Sequence, residues 1–215
     1  MKYQYKGIFD PAKLKPTNID RQSVALIPEN SKVLELGCAT GFMSRYLTKV
    51  KQCQVVGVEI DPQAAKKASR WCYRVIVGDL DKKEIWQKIE KESPFDVVFA
   101  SAIIEHLNDP WQALKNIKRA LKKKGVLVIT TGNIVHWRMR LQLLLGRWQY
   151  EEYGLLDNTH LRFFTYKTFI DLIKQSGYKI EHIGIDPAGG LKYFNWLFKK
   201  FPNLYAYQMV VKARK

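Results

Sequence analysis

Short runs of β-branched and aromatic residues alternate along this chain with segments whose apolar side chains recur every three or four positions. The runs at 32–36, 54–59, 74–77, 95–100 and 125–131 read as strands, and the amphipathic segments at 43–50, 62–70, 82–91 and 110–123 as helices. Strand and helix in regular alternation predict a doubly wound α/β fold, a parallel sheet covered on both faces. The boundaries carry fitting signals. Asp61-Pro62 puts proline in a first helical turn, and Lys122-Lys123-Lys124 before Gly125 reads as the cationic end of the helix at 110–123.

After Thr131 the alternation breaks. Residues 133–162 carry no strand pattern and are read as a helical insertion, a lid over the active site, following the fifth strand. A helix at 167–175, Gly177, a strand at 178–185 and a last strand at 204–213 complete one domain spanning residues 1–215. No repeat or low-complexity tract interrupts it.

Composition adds charge to this picture. Against 20 acidic residues stand 36 Lys and Arg, a formal net charge of +16, which implies an anionic partner: nucleic acid, phosphorylated substrate or membrane headgroup. Cys38, Cys53 and Cys72 are odd in number and lack C-x-x-C spacing, so neither a disulfide framework nor a metal site is expected. The first residues have no signal-peptide core and no apolar run reaches spanning length. The expectation is a cytoplasmic protein that can lie peripherally at the inner face of the membrane.

The chemistry begins at Val33-Leu34-Glu35-Leu36-Gly37-Cys38-Ala39-Thr40-Gly41, a strand, a turn and a helix start. A dinucleotide site needs G-x-G-x-x-G to seat a pyrophosphate on a helix N-terminus, and here Ala39 and Phe42 stand at two of the three glycine positions. Glu35 would repel a pyrophosphate and attract an ammonium. Glu59, ending the second strand, can accept hydrogen bonds from two ribose hydroxyls, and Asp79 after the third can accept from an adenine amino group that Leu80 covers. Each acid alone could be a strand end or a helix cap; in order they describe a pocket for a cationic adenosine derivative.

These motifs, V-L-E-L-G-C-A-T-G (33–41), V-V-G-V-E-I-D (55–61), V-I-V-G-D-L (75–80), F-D-V-V-F-A-S-A-I-I-E-H-L (95–107) and T-H-L-R-F-F-T (159–165), resemble the Rossmann-like S-adenosylmethionine-dependent methyltransferases, in the small-molecule branch often found beside sugar and polysaccharide biosynthesis. The resemblance implies a seven-stranded sheet whose last strand is antiparallel, in place of a purely parallel one. It also implies S-adenosylmethionine as cofactor, with contacts at Glu35, Gly37, Gly41, Glu59 and Asp79; Cys38, Ala39, Ile60, Leu80 and Ser101 complete the expected set. Ala39 stands where the family usually has glycine, which narrows the approach of the loop.

Methyl transfer from a sulfonium is an in-line displacement that rests largely on positioning, helped by a base. His106, after the fourth strand with Glu105 beside it, is the first candidate base, or else a loop-closing structural histidine. His160 is the second. Arg162 either holds an anionic group of the acceptor or anchors the insertion to a strand-end carboxylate. The chain lacks the Asp/Asn-Pro-Pro-aromatic signature of amino-group nucleic-acid methylases after the fourth strand, and no cysteine stands there; hydroxyl methylation of a small or lipid-linked molecule is favoured. An RNA methyltransferase and a non-catalytic cofactor-binding module are the alternatives.

From Trp111 to Tyr150 there is no Asp or Glu, whereas Arg138, Arg140 and Arg147 stand among Trp137, Leu141, Leu143, Leu144, Leu145 and Trp148. This is the composition of a helix lying in a headgroup layer, or of a lid with a wet basic face; Trp137 and Arg138 are expected at the acceptor. Residues 191–215 repeat it with Tyr193, Phe194, Trp196, Phe198, Lys199 and Lys200.

Overall fold

Val33, Leu34 and Leu36 of β1 (Lys32–Leu36) are all buried, because the strand runs through the middle of a sheet covered on both sides. The computed structural model of the protein describes residues 7–187 and 200–215; Tyr193, Phe194, Trp196, Phe198 and Lys199 of the second acid-free stretch lie outside them. Beside β1 stand β2 (Gln54–Glu59), β3 (Arg74–Val77), β4 (Phe95–Ala100), β5 (Leu121–Gly132), β6 (Lys179–Asp186) and β7 (Gln208–Arg214). The seven strands lie in the order β3-β2-β1-β4-β5-β7-β6. β7 runs antiparallel to both β5 and β6, as the family resemblance implies and the alternation alone does not.

Period-two alternation sorts the core. Val33, Val55, Val97, Phe99 and Val128 face one side, against α1 (Ile19–Ala25), α2 (Phe42–Lys49) and α3 (Pro62–Ala68). Leu34, Val56, Val98 and Leu127 face the other, against α4 (Lys83–Glu92), α5 (Pro110–Ala120) and α7 (Tyr166–Gln175). Neighbouring β1 and β4 send their connections to opposite faces, and the crevice at their carboxyl ends is where such sheets bind ligands.

The lysine run is strand rather than helix end. α5 stops at Ala120, and Leu121, buried in the core, pairs with Phe95 before the register shifts and Val126 pairs with Val97. Gly125 permits that irregularity: a Cβ there would stand 2.9 Å from Leu121 Cδ2 and 3.0 Å from the backbone of Lys122. Lys122 instead meets Asp96 at 2.6 Å.

The insertion holds one helix, α6 (Trp137–Leu144), and is tied down at both ends. Asn133, fully buried, donates from Nδ2 to the carbonyls of Asn203 (3.0 Å) and Ala206 (2.7 Å), while Ile134 N donates to Phe164 O at 2.9 Å. Asn133 thereby joins the end of β5 to the turn that leads into β7. Asn133→Ala should lower the unfolding free energy by about 1–3 kcal/mol, the scale of buried carbonyls stripped of their donor; urea unfolding checks it, and an unchanged midpoint would deny Asn133 this role.

Candidate active site

The turn after β1 is fixed by the end of β2. Gly37 N and Cys38 N both donate to Val58 O, at 2.9 and 3.0 Å, and Ala39 N donates to Glu59 Oε2 at 2.8 Å. To make these bonds the chain enters the left-handed region at Gly37 (φ 69°), Ala39 (φ 48°) and Gly41 (φ 77°). A Cβ on Gly37 would lie 2.9 Å from Ile103 Cδ1, and one on Gly41 2.8 Å from Ala68 Cα, so glycine is required at both. Ala39 takes the same conformation with a methyl group attached, at a cost of roughly 1–2 kcal/mol.

Three strand-end carboxylates line one cavity of about 620 Å³, a size ordinary for small-molecule sites. Glu35 is 4% exposed and accepts from Ser44 Oγ at 2.5 Å; burial, then the neighbouring Cys72, pushes its pKa up to about 8. Glu59 is half-buried and accepts from Asp61 N at 2.9 Å as well as from Ala39. Asp79 accepts from Asp81 N at 2.9 Å, and Asp81 in turn grips Asn108 through both carboxylate oxygens. Of the residues expected around the cofactor, Gly37, Ala39, Ile60, Leu80 and Ser101 also line this cavity. Gly41 and Cys38 do not: Gly41 caps the start of α2, and the Cys38 sulfur sits under the turn, 2.7 Å from where a Cβ on Gly57 would stand.

The far end of the cavity is built from the β4–α5 connection and the insertion. Asp157 Oδ1, buried, accepts from Thr159 N (2.8 Å) and from Thr159 Oγ1 (2.6 Å). With its proton committed to Asp157, that hydroxyl faces His106 Nδ1 at 3.1 Å as an acceptor, and Thr159 O, at 3.2 Å from the same nitrogen, can only accept. Both contacts call for a proton on Nδ1, which leaves the lone pair on Nε2. The rings of His106 and His160 pack edge to face, 4.7 Å apart, with His160 Nδ1 against Leu155 O at 3.2 Å.

Glu105 went unassigned in the sequence beyond its place beside His106. Its side chain is buried and lines the cavity, burial pushes its pKa up to about 7, and its Oε2 has no hydrogen-bond partner. Its carbonyl accepts from Leu161 N (2.9 Å) and Arg162 N (3.0 Å), so the same residue anchors the insertion. Asp20 of α1 also lines the cavity, its pKa raised to about 6 by burial and by Asp186. Asp157 and Thr159 had a signal, the D-x-T spacing of a side-chain-capped turn. Asp20 had none, because only the packing of α1 across the sheet brings it there.

Arg162 lies outside the main cavity: its Nη2 donates to the backbone carbonyl of Asn108 at 2.6 Å, and among the described residues it meets no strand-end carboxylate. Trp137 and Arg138 are exposed on α6, stacked on each other at 5.4 Å, and line no part of the cavity. Among the described residues the cavity wall carries Asp20, Glu35, Glu59, Asp79, Asp81, Glu105 and Asp157 and no Lys or Arg. The pocket of a protein with net charge +16 is therefore acidic. An ammonium, a ribose diol and an adenine amino group, all donors, match its strand-end acids, so S-adenosylmethionine fits this donor-seeking wall.

The chain matches the family model for a methyltransferase domain over residues 10–183. It is 28% identical over 182 residues to the demethylmenaquinone methyltransferase of Lactiplantibacillus plantarum, covering 75% of this chain and 77% of that one. To the malonyl-[acyl-carrier protein] O-methyltransferase of Paenibacillus sp. it is 29% identical over 128 residues, 56% of this chain and 45% of that one. The chain spans about half the length of several curated relatives it matches. Among solved structures, an S-adenosylmethionine-dependent methyltransferase from Archaeoglobus fulgidus superposes with a TM-score of 0.63 at 16% identity, covering 91% of this chain and 90% of that one, a likeness of fold. Neither of these two curated relatives is named for a saccharide.

The raised carboxyls make stability depend on pH. Between their ordinary values and the raised ones, the unfolded chain ionises Glu35, Glu105 and Asp20 while the fold keeps them protonated, so each costs up to about 1.4 kcal/mol per pH unit over its window. The stability they confer is complete below about pH 4 and falls as pH rises towards 8. Ligand-free melting temperatures should fall from pH 5 to 8, and Glu35→Gln should flatten that slope; a variant slope equal to wild type would contradict the assignment.

Proposed function

Because the chain belongs to the methyltransferase-domain family, we propose that it transfers a methyl group from S-adenosylmethionine to a hydroxyl of a small acceptor, of the saccharide or lipid-linked kind. The observation that carries this reading is the relay Asp157–Thr159–His106 at one end of a cavity whose other end holds the strand-end acids. Bound S-adenosylmethionine supplies a methyl group already activated on a sulfonium. Glu35 takes its ammonium, Glu59 its ribose hydroxyls, and Asp79 with Leu80 its adenine.

His106 Nε2 takes the proton from the acceptor hydroxyl as the oxygen–carbon bond forms in line with the breaking carbon–sulfur bond. Asp157, through Thr159, holds the imidazole in the required tautomer and steadies the imidazolium, which then returns its proton to solvent. Glu105 Oε2 accepts a hydrogen bond from a second donor on the acceptor, and His160 walls the pocket beside His106. The absence of Lys and Arg among the described cavity residues selects an acceptor whose reacting end carries no negative charge. This weighs against phosphate-bearing RNA. Relatives named for demethylmenaquinone and for a phytyl hydroquinone support the lipid-linked kind over the saccharide.

Glu35→Ala and Asp79→Ala should each weaken S-adenosylhomocysteine binding roughly tenfold or more by calorimetry, about 1.4 kcal/mol for a lost charged or polar contact; wild-type affinity in both would sink the cofactor placement. Incubation with labelled S-adenosylmethionine and separate lipid, glycan, metabolite and RNA fractions tests the acceptor, and label confined to RNA would overturn it. In the fraction that takes label, His106→Ala should cut turnover by roughly 10²–10⁴-fold with cofactor affinity unchanged. Undiminished turnover would remove His106 as the base.

A further inference from the structure

The insertion presents a surface that the chemistry above does not use. All ten residues from Leu141 to Tyr150 are exposed, Leu144 at 82%, with Leu141, Leu143 and Leu145 near half. A helix packed on a domain hides an apolar stripe; α6 hides only Met139, which sits with Leu155 and Leu156. Its remaining apolar side chains point to solvent on more than one side. Trp148 continues the surface, packed edge to face on Tyr150 at 6.5 Å and on Phe163 at 5.6 Å, with Phe163 and Leu161 themselves exposed. Exposed apolar surface of this extent marks an interaction site.

Charge names the occupant. Arg138, Arg140 and Arg147 are exposed in this patch, and no Asp or Glu occurs between Trp111 and Tyr150. A two-fold dimer closed through this face would bring two strongly basic surfaces together, with only Glu151 and Glu152 beside Tyr150 to offset them. Nucleic acid would use the arginines but leave four leucines without partners, since bases stack on aromatic and guanidinium planes. An anionic bilayer satisfies both: leucines and tryptophans enter the acyl boundary while the guanidinium groups stay with the phosphates. No helix among the described residues is long and apolar enough to cross a membrane, so the contact is peripheral.

We propose that α6 and the segment through Tyr150 form a docking face for an anionic lipid bilayer. The position suits the site, because Leu155, which packs beneath Met139, also lines the catalytic cavity. Docking would therefore hold the insertion, which supplies part of the cavity wall, at the membrane where an apolar acceptor is dissolved. The purpose rests on the methyltransferase reading; the docking itself does not.

The test is sedimentation of the full chain with vesicles of phosphatidylcholine alone or with a quarter phosphatidylglycerol, at low and physiological salt. Wild type should bind the anionic vesicles at least tenfold better. Arg138→Gln/Arg140→Gln/Arg147→Gln should weaken that binding on the order of a hundredfold, the scale expected for three basic groups at an anionic surface. Leu144→Asp/Leu145→Asp should weaken it at least tenfold. If wild type treats both vesicles alike, or the leucine variant binds as wild type does, the face is not a bilayer site, and the second result would mark adsorption of a basic protein by charge alone. A wild-type dimer that the leucine substitutions make monomeric, without vesicle binding, would give the face to a second copy. S-adenosylhomocysteine affinity, measured on every variant, keeps the two readings apart: retained affinity shows an intact fold, and its absence in wild type would fail the cofactor reading without touching the vesicle result.

Discussion

The site depends on one constraint, that the turn after β1 must satisfy its N–H groups on the end of β2. Gly37 and Cys38 share the Val58 carbonyl and Ala39 takes a Glu59 oxygen, so the turn cannot rise or slide without stranding donors. Its left-handed residues follow from those bonds. So does the depth of Glu35, which the turn and Ser44 of α2 shut away from water. A carboxyl held there is protonated more readily than usual and favours a cationic neighbour, which would restore its charge.

A second constraint is the separation of charge. The exterior is strongly basic while the cavity wall is acidic, and the two signs are kept apart by the sheet end and the insertion. Positive charge outside draws anionic surfaces; carboxyls inside select donors and reject anions. A basic composition therefore says little about what reaches the reacting centre.

The insertion joins these two environments. Its inner side supplies Leu155, Asp157, Thr159 and His160 to the cavity, and its outer side exposes leucines, tryptophans and arginines. It is held by backbone bonds to Glu105 and by the buried Asn133, which makes Glu105 both an anchor for the insertion and a carboxyl on the cavity wall.

The hydrophobic alternation by itself determined the five central strands, the helices between them and the acids Glu35, Glu59 and Asp79 at their ends, because a buried parallel strand and the turn beyond it are local patterns of side chain and backbone. It misjudged Lys122–Lys124, where burial of Leu121 outweighed helix-end charge. The antiparallel direction of β7 was implied by the family motifs and not by the alternation, and tertiary structure alone decided the outward turn of Trp137 and Arg138. It also decided that Asp20, Asp157 and Thr159, each 51 or more positions from His106, share its cavity, which happens only when helix, sheet end and insertion pack together. Local sequence encodes periodicity and capping; which distant carboxyl faces which imidazole is set by packing that no window of the chain contains.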